Sequence, residues 1–221
     1  MEVLVIKYTA MFLAFLIAII GHEIMHGLVA KYYKDDTAQK EGRLSINPIK
    51  HIDIVGSIIF PISLYLIQKL SNVENPIIFG WAKPVPVNIF KVVENGGYLA
   101  AFNVSIAGIT YNILLAILAS TFLYYALPLN SIFNIFLFEF LLYLVIINVV
   151  LFVFNLLPIP TLDGANAIKY LSLQFKLYKV AEVINKLEPY GIIMLMIILF
   201  TPLSSVIYYP MNFILSLLIH G

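Results

Sequence analysis

The sequence predicts an all-α membrane protein: a polytopic helical bundle that also contains a re-entrant loop or β-ribbon segment. Of its 221 residues, 62% are hydrophobic and only 11% are charged, whereas a soluble globular domain carries about 25% charge. Apolar runs long enough to span a bilayer recur along the chain. With 13 basic and 12 acidic residues the net charge is only +1, which argues against nucleic-acid binding. The lack of cysteine excludes disulfides, thiolate metal ligands and cysteine nucleophiles.

Four strong apolar runs and one weaker run are candidate membrane segments. The strong runs are 8–30, 98–127, 131–157 and 190–220, and the weaker one is 54–70. Pro202 and Pro210 are expected to kink or break the last run, because proline lacks the N–H that a helix needs. No linker or repeat divides the chain, so we expect a single transmembrane domain over 1–221.

Lysine and arginine lie mainly in two of the segments between the strong runs, and this asymmetry predicts the topology. The basic residues are Lys31, Lys34, Lys40, Arg43, Lys50, Lys69, Lys83 and Lys91 in 31–97, and Lys169, Lys176, Lys179 and Lys186 in 158–189. The turn 128–130 has none. Because basic loops stay on the cytoplasmic side, we expect four crossings with both long loops cytoplasmic.

A separate crossing by 54–70 would put the basic loop 158–189 outside the cell. We therefore predict that 54–97 leaves and re-enters on the same side, as a helix followed by a re-entrant segment. Residues 79–88 suit that segment, because their two prolines preclude helix. Val85 and Val87 alternate as in an edge strand or ribbon.

The first strong run contains His22-Glu23-Ile24-Met25-His26, which matches H-E-x-x-H. On a helix, His22 and His26 lie one turn apart, so both imidazoles can reach one metal ion. Glu23 lies to the side, where it can take a proton from water. Such motifs also occur by chance, and a single membrane histidine is usually a packing residue. However, a carboxylate in an apolar helix is costly unless it is compensated, so the combination predicts a metal site.

A third protein ligand must come from elsewhere, because catalytic zinc sites have three. Asp163 is the distinctive candidate, since Pro158 and Pro160 end the preceding helix and hold it near the membrane face. It is equally suited to be the N-cap of a helix over 164–176. The other candidates are His51 and His220.

Two separated motifs resemble the site-2 protease family of intramembrane zinc metalloproteases, peptidase family M50. They are His22-Glu23-x-x-His26 and Asn155-x-x-Pro158-x-x-x-Leu162-Asp163-Gly164. Segments 42–53 and 80–88 look like the compact prokaryotic branch without PDZ or CBS domains. The likeness extends over residues 8–175, which we take as the core, with one or more C-terminal helices in 190–220.

This resemblance implies that His22, His26 and Asp163 bind one zinc ion per chain and that Glu23 is the general base. It also implies a three-helix catalytic core, with a re-entrant ribbon after the first core helix.

The resemblance further suggests that Asn155 contacts the backbone of the substrate. The family usually has A-G-P-x-x-N in the next core helix, and here Ile109 replaces the proline of that motif. Asn112 matches the family asparagine and is assigned to substrate binding with Asn155.

We therefore expect a multi-pass protein of the cell membrane whose active site lies near the cytoplasmic side. Its expected activity is hydrolysis of peptide bonds within or near transmembrane segments of membrane proteins, in regulated intramembrane proteolysis or clearance of membrane remnants. The expected partners are a substrate with a transmembrane helix and the lipid bilayer. Two alternatives remain at this point: a metal-ion carrier or sensor in which Glu23 is a fourth ligand or proton acceptor, and an inactive membrane scaffold.

Overall fold

The computed structural model describes residues 2–70, 80–123, 125 and 131–220, and these residues are mostly helical. The α-helices are α1 (Glu2–Tyr32), α2 (Thr37–Lys40), α3 (Phe60–Leu70), α4 (Ile89–Leu123), α5 (Ile132–Leu156), α6 (Asp163–Gln174), α7 (Tyr178–Leu187), α8 (Gly191–Phe200) and α9 (Ser205–His220). Short 3₁₀ or π-helical turns lie at Pro48–His51, Ile54–Ile59, Glu188–Tyr190 and Pro202–Ser204. No β-strand occurs in this described part of the chain.

Five helical segments are long and apolar enough to cross a membrane. They are Glu2–Tyr32, Ile89–Leu123, Ile132–Leu156, Tyr178–Phe200 and Pro202–Ile219. A helix suits a bilayer because it satisfies its backbone N–H and C=O groups internally, where no water is present to do so. The prediction of an all-α, multi-pass membrane protein is confirmed at this level.

The break expected in the 190–220 run is present at Pro202. It separates two of the five helical segments of spanning length, whereas four crossings were predicted, and the number of crossings stays a prediction. Thr201 accepts a hydrogen bond from the Leu203 N–H (3.3 Å), and Pro202 begins a 3₁₀ turn there. Proline has no N–H for the i→i−4 ladder, so α8 ends before it. The candidate span before this break is Tyr178–Phe200. It begins within residues 158–189, which were predicted to be a loop because of their basic residues. Pro210 lies inside α9 without ending it.

Helices α1, α4 and α5 pack against one another and form the centre of the molecule. One face of α1 presents Ala10, Ala14 and Ala18, all fully buried. Residues four apart lie on one helix face, and small side chains let the helix backbones approach closely. From α5, Val145 and Val149 are fully buried in the same core. This close packing brings polar groups of three helices within hydrogen-bonding distance.

The weak apolar run is helical, as predicted. Asp53 caps it, because its side chain accepts a hydrogen bond from the Gly56 N–H (2.6 Å). A π-helical turn over Ile54–Ile59 then continues into α3. The predicted return to the same membrane side includes 71–79, which lie outside the described residues, so the re-entrant path stays a prediction.

Residues 80–88 connect this region to α4 without regular secondary structure. Their backbone N–H groups point to the protein at every second residue, as in an extended chain. The bonds run from Trp81 to Gly56 O (3.1 Å), from Lys83 to His51 O (2.9 Å) and from Val85 to the Glu23 carboxylate (2.8 Å). The predicted β-ribbon is not formed by these residues, because their partners are a side chain and the carbonyls of the 3₁₀ and π-helical turns rather than another strand.

Two buried charged side chains hold the segment 80–88 in place. Arg43 Nη2 donates to the Lys83 carbonyl (2.7 Å), and one Asp35 oxygen accepts from the Asn88 N–H (2.6 Å). Both side chains are nearly inaccessible to solvent. The segment is therefore fixed against the end of α1 by charge-assisted hydrogen bonds, which are stronger than neutral ones.

Candidate metal centre

Three side chains from two helices converge on one point. His22 and His26 project from α1, and Asp163 is the first residue of α6. Asp163 Oδ2 lies 3.1 Å from His22 Nε2 and 3.2 Å from His26 Nε2, and the two Nε2 atoms are 3.2 Å apart. Ligands about 2.1 Å from a tetrahedral zinc ion lie roughly 3.4 Å from one another. The nearly equilateral triangle therefore has the size of one face of a zinc coordination tetrahedron.

The hydrogen bonds of the two imidazoles fix which nitrogen faces this point. His26 Nδ1 lies 2.7 Å from the Val104 carbonyl oxygen, which can only accept, so Nδ1 carries the proton. His22 Nδ1 donates to Asn112 Oδ1 (2.6 Å). Both Nε2 atoms are consequently unprotonated in the neutral rings, and each directs a lone pair toward Asp163.

The fit of a metal ion follows from this convergence of acceptors. The Asp163 Oδ2 atom is buried and has no hydrogen-bond donor among the described residues. Two imidazole lone pairs and a carboxylate oxygen at 3.1–3.2 Å repel one another unless a cation lies between them. Neutral imidazole and carboxylate are the donor set of catalytic zinc sites, so these residues fit zinc chemically as well as geometrically.

Asp163 is held in the anionic form that ligation requires. Burial raises the pKa of its carboxyl, but hydrogen bonds from His22 and His26 in their protonated form, and the positive charge of these rings, lower it by more. The net effect is a pKa well below the usual range, because a cation beside a carboxyl favours its charged form. The carboxylate is therefore present throughout the neutral pH range.

A tight loop between α5 and α6 places Asp163. The backbone of Thr161 has φ +87°, a conformation that β-branched residues rarely adopt. A Cβ on Gly164 would clash with the Leu156 carbonyl oxygen and lie 2.8 Å from that of Leu157. Only glycine lets the first turn of α6 cross the end of α5 so closely.

The structure also bears on the other role considered for Asp163 and on the other candidate ligands, His51 and His220. The N-cap interpretation of Asp163 is wrong, because α6 starts at this residue, Leu162 occupies the cap position, and no side chain caps the helix. His51 is buried in the loop region, where its Nε2 donates to the Ser45 carbonyl (2.7 Å), and it is not part of the converging group. The side chain of His220 lies outside the described residues.

Glu23 lies beside the converging group and lines the same cavity. One of its carboxylate oxygens accepts the Val85 N–H (2.8 Å), and no described residue hydrogen-bonds the other oxygen. The carboxylate thus has one fixed oxygen and one available for proton transfer.

A cavity of about 530 Å³ opens onto the three converging side chains. Its walls come from α1, α4, α5, α6, α8 and the segment 80–88. Asn155 lines it, with its Nδ2 donating to the Leu151 carbonyl of its own helix (3.0 Å). Asn166, one turn after Asp163, lines it as well. A contact of Asn155 with substrate stays a prediction.

Asn112 is fully buried, and its contacts are internal. Besides accepting from His22, it donates to Asn148 Oδ1 (2.8 Å) and lies 3.4 Å from the Ala18 carbonyl. Its assignment to substrate binding stays a prediction, and the contacts it makes in the structure orient His22. Ile109 is buried inside α4, which departs from helical geometry only at Gly97 among its residues.

Three further contributors to the site were missed by sequence reasoning. The Val104 carbonyl leaves no signature in sequence, because it is a backbone atom. Gly108 matches the glycine of the A-G-P-x-x-N motif, but no role was predicted for it; a Cβ there would lie 2.5 Å from the His22 ring, so only glycine lets α4 approach so closely. Asn148 does leave a signal. It is an amide within the apolar run 131–157, and polar groups at membrane depth are costly unless they find a partner.

Together, these helices and the His/His/carboxylate group define a polytopic membrane protein with the ligand set of a zinc hydrolase. The chain is 38% identical over 196 residues to a protein of Bacillus subtilis (strain 168) named "Putative zinc metalloprotease YwhC", a match that covers 86% of this chain and 80% of that protein. The chain belongs to the family of this zinc metalloprotease. No protein-family model and no solved structure matches the chain.

Proposed function

We propose that the protein is an intramembrane zinc metalloprotease of the site-2 type, which hydrolyses peptide bonds within or near the transmembrane segments of membrane proteins. The observation that carries this proposal is the convergence of Asp163, at the start of the short helix α6, with His22 and His26 on α1, a helix of membrane-spanning character that also carries Glu23. The three-helix catalytic core would consist of α1, α4 and α5, completed by the first turn of α6.

Each residue of the centre has a defined task in this proposal. His22, His26 and Asp163 hold one zinc ion. When bound, zinc supplies the Lewis acid that makes water nucleophilic near pH 7 and polarises the scissile carbonyl. Glu23 takes the proton from the attacking water and returns it to the leaving amine, which is general base and then general acid catalysis.

The substrate must reach the centre as an extended chain, because the carbonyl groups of a helix are occupied in i→i−4 bonds. The segment 80–88 is suited to receive it. Its alternate N–H groups face the protein, so the carbonyls of Pro84 and Pro86 face the opposite side. An extended substrate can donate hydrogen bonds to that edge by β-augmentation, and the re-entrant ribbon of the family would form in this way. Asn155, which lines the same cavity, would hold the substrate backbone.

The proposed location is the cell membrane, with the centre nearer the cytoplasmic side. Support comes from the basic residues that follow α1 and from Lys169 and Lys176 between the candidate spans, because such residues favour cytoplasmic loops. Lys40 forms an exposed ion pair with Asp36 (2.7 Å) just beyond the end of α1, only a few turns after His26.

The test replaces Glu23 with Gln, which keeps the shape of the side chain and removes the base. Purified protein is incubated with a panel of single-span membrane substrates, with and without a zinc chelator, and the products are mapped by mass spectrometry. We expect wild-type cleavage that the chelator abolishes, and a loss of about 10²–10⁴-fold in Glu23→Gln with zinc content retained. The same substitution at Glu139, the other acidic residue in the strong apolar runs, is the matched control.

Cleavage at the wild-type rate by Glu23→Gln would overturn the mechanism. Zinc transport into liposomes without cleavage of any substrate would identify a metal carrier instead. A wild-type protein that binds no zinc would be the inactive scaffold.

A further inference from the structure

We infer that Asn148 on α5 is a positioning residue for the metal centre, which acts through Asn112 to fix the proton and the orientation of His22. The inference rests on the zinc site proposed above and concerns a residue that does not touch the ion.

A chain of hydrogen bonds links α5 to α1 through α4. Asn148 Nδ2 donates to the Leu144 carbonyl (2.8 Å), and Asn148 Oδ1 accepts from Asn112 Nδ2 (2.8 Å). Asn112 Oδ1 in turn accepts from His22 Nδ1 (2.6 Å). Both amides have no solvent-exposed surface. In a membrane interior such groups depend on each other, because neither water nor lipid can replace a lost partner.

The Leu144 carbonyl determines which group donates and which accepts in each of these hydrogen bonds. A backbone carbonyl can only accept, so Asn148 must turn its NH₂ group toward Leu144 and its oxygen toward Asn112. Asn112 must then present its NH₂ group to Asn148 and its oxygen to His22. The proton of the neutral imidazole is thereby held on Nδ1, and the Nε2 lone pair is left for the metal.

The two histidines differ in their need for such support. His26 Nδ1 donates directly to the Val104 carbonyl, which is part of a helix backbone and cannot turn over. His22 depends on an amide side chain, which has nearly the same shape after a rotation of 180°. A rotated Asn112 would present a donor to His22 Nδ1 and drive the proton to Nε2, where it blocks ligation.

Asn148 is the group that opposes this rotation. Without it, the remaining acceptor for Asn112 Nδ2 among the described residues is the Ala18 carbonyl at 3.4 Å, which is long for a hydrogen bond. An ordinary packing role for Asn148, as a polar contact between helices, would affect folding stability but not the affinity of the centre for metal.

The test compares substitutions that break or keep this series of hydrogen bonds. Asn148→Leu removes both bonds of the Asn148 side chain. Asn148→Thr removes the bond to Asn112 while its hydroxyl still bonds the Leu144 carbonyl, so the variant leaves no unpaired group of its own. Asn148→Asp in its protonated form keeps both bonds. Val149→Ala is the control, at the next and equally buried position of α5. It creates a cavity in the same part of the core but changes none of the hydrogen bonds that link Asn148, Asn112 and His22.

Purified proteins in detergent are compared by zinc affinity, using a competing chelator, by thermal stability, and by the visible absorption of the Co²⁺-substituted form. We expect Asn148→Leu and Asn148→Thr to bind zinc about 10–100-fold more weakly, with altered Co²⁺ bands. Asn148→Asp is expected to retain wild-type affinity and bands. Val149→Ala is expected to lose thermal stability but not zinc affinity.

Wild-type zinc affinity in Asn148→Thr would overturn the inference, and so would a loss of affinity in Val149→Ala as large as that in Asn148→Thr. If Asn148→Leu does not fold, the contrast between the Thr and Asp variants decides. Failure of the wild-type protein to bind zinc would refute the proposed function instead, so the two failures are distinguishable.

Discussion

Gly108 on α4 is the position where a single methyl group should most directly disturb the proposed metal centre. A Cβ there would lie 2.5 Å from Cε1 of the His22 ring and 2.6 Å from both of its nitrogens. Carbon atoms in favourable contact are about 3.5–4.0 Å apart, so the ring or the helix must move by roughly 1 Å.

That displacement is large compared with the tolerance of a metal site, whose ligand distances hold within about 0.2 Å. His22 has little room to adjust, because its Nδ1 is bonded to Asn112 on the same helix that carries the new methyl group. We therefore expect Gly108→Ala to weaken zinc binding by at least about 100-fold and to lower peptidase activity accordingly. In an unconstrained helix the same substitution would stabilise the protein by about 0.5–1 kcal/mol.

Zinc affinity by chelator competition and thermal unfolding in detergent check this prediction together. Thr110→Ala, at an exposed position on the same helix, is the control and should change neither quantity. Wild-type zinc affinity in Gly108→Ala would show that the close approach of α4 to His22 does not govern the geometry of the centre.

Two further predictions concern the metal and the segment 80–88. Zinc added back to chelator-treated protein should raise its melting temperature, because zinc at 1,000 times its Kd stabilises the folded state by about 4 kcal/mol. The same addition should have little effect on Asp163→Asn, which lacks the anionic ligand, and an equal rise there would contradict the assignment of Asp163. Arg43→Ala should accelerate limited proteolysis within 80–88 and reduce substrate cleavage, because the Lys83 carbonyl loses its charged donor. Unchanged proteolysis would mean that other contacts suffice to hold the segment.

Local signals in the sequence predicted the parts of the site that depend on short-range geometry. The spacing of His22 and His26 placed both on one face of a helix, because one helical turn nearly equals four residues. The prolines before Asp163 marked the end of α5, since each removes a backbone donor. These predictions needed no knowledge of which helices pack together.

Other features depend on tertiary contacts that a single sequence does not encode locally. Nothing near Asn148 indicates that its partner is Asn112, 36 residues earlier in the chain. The candidate span Tyr178–Phe200 was not predicted in full, because the charged residues of α7 suggested a loop. These residues lie on one face of a helix that is followed, after a 3₁₀ turn, by the apolar helix α8. In 80–88 the alternating pattern predicted extended chain but not the Glu23 side chain that pairs with Val85.

The order of the ligands along the chain has a consequence for biosynthesis. His22 and His26 lie in the first helix, whereas Asp163 follows α5. A nascent or truncated chain that ends before α6 therefore holds two of the three ligands and cannot complete the proposed centre. Peptidase activity would therefore arise only after most of the polypeptide has been synthesised and inserted. Under the proposed function, the translocation machinery and neighbouring nascent chains would not meet a complete catalytic centre while the protein is being made.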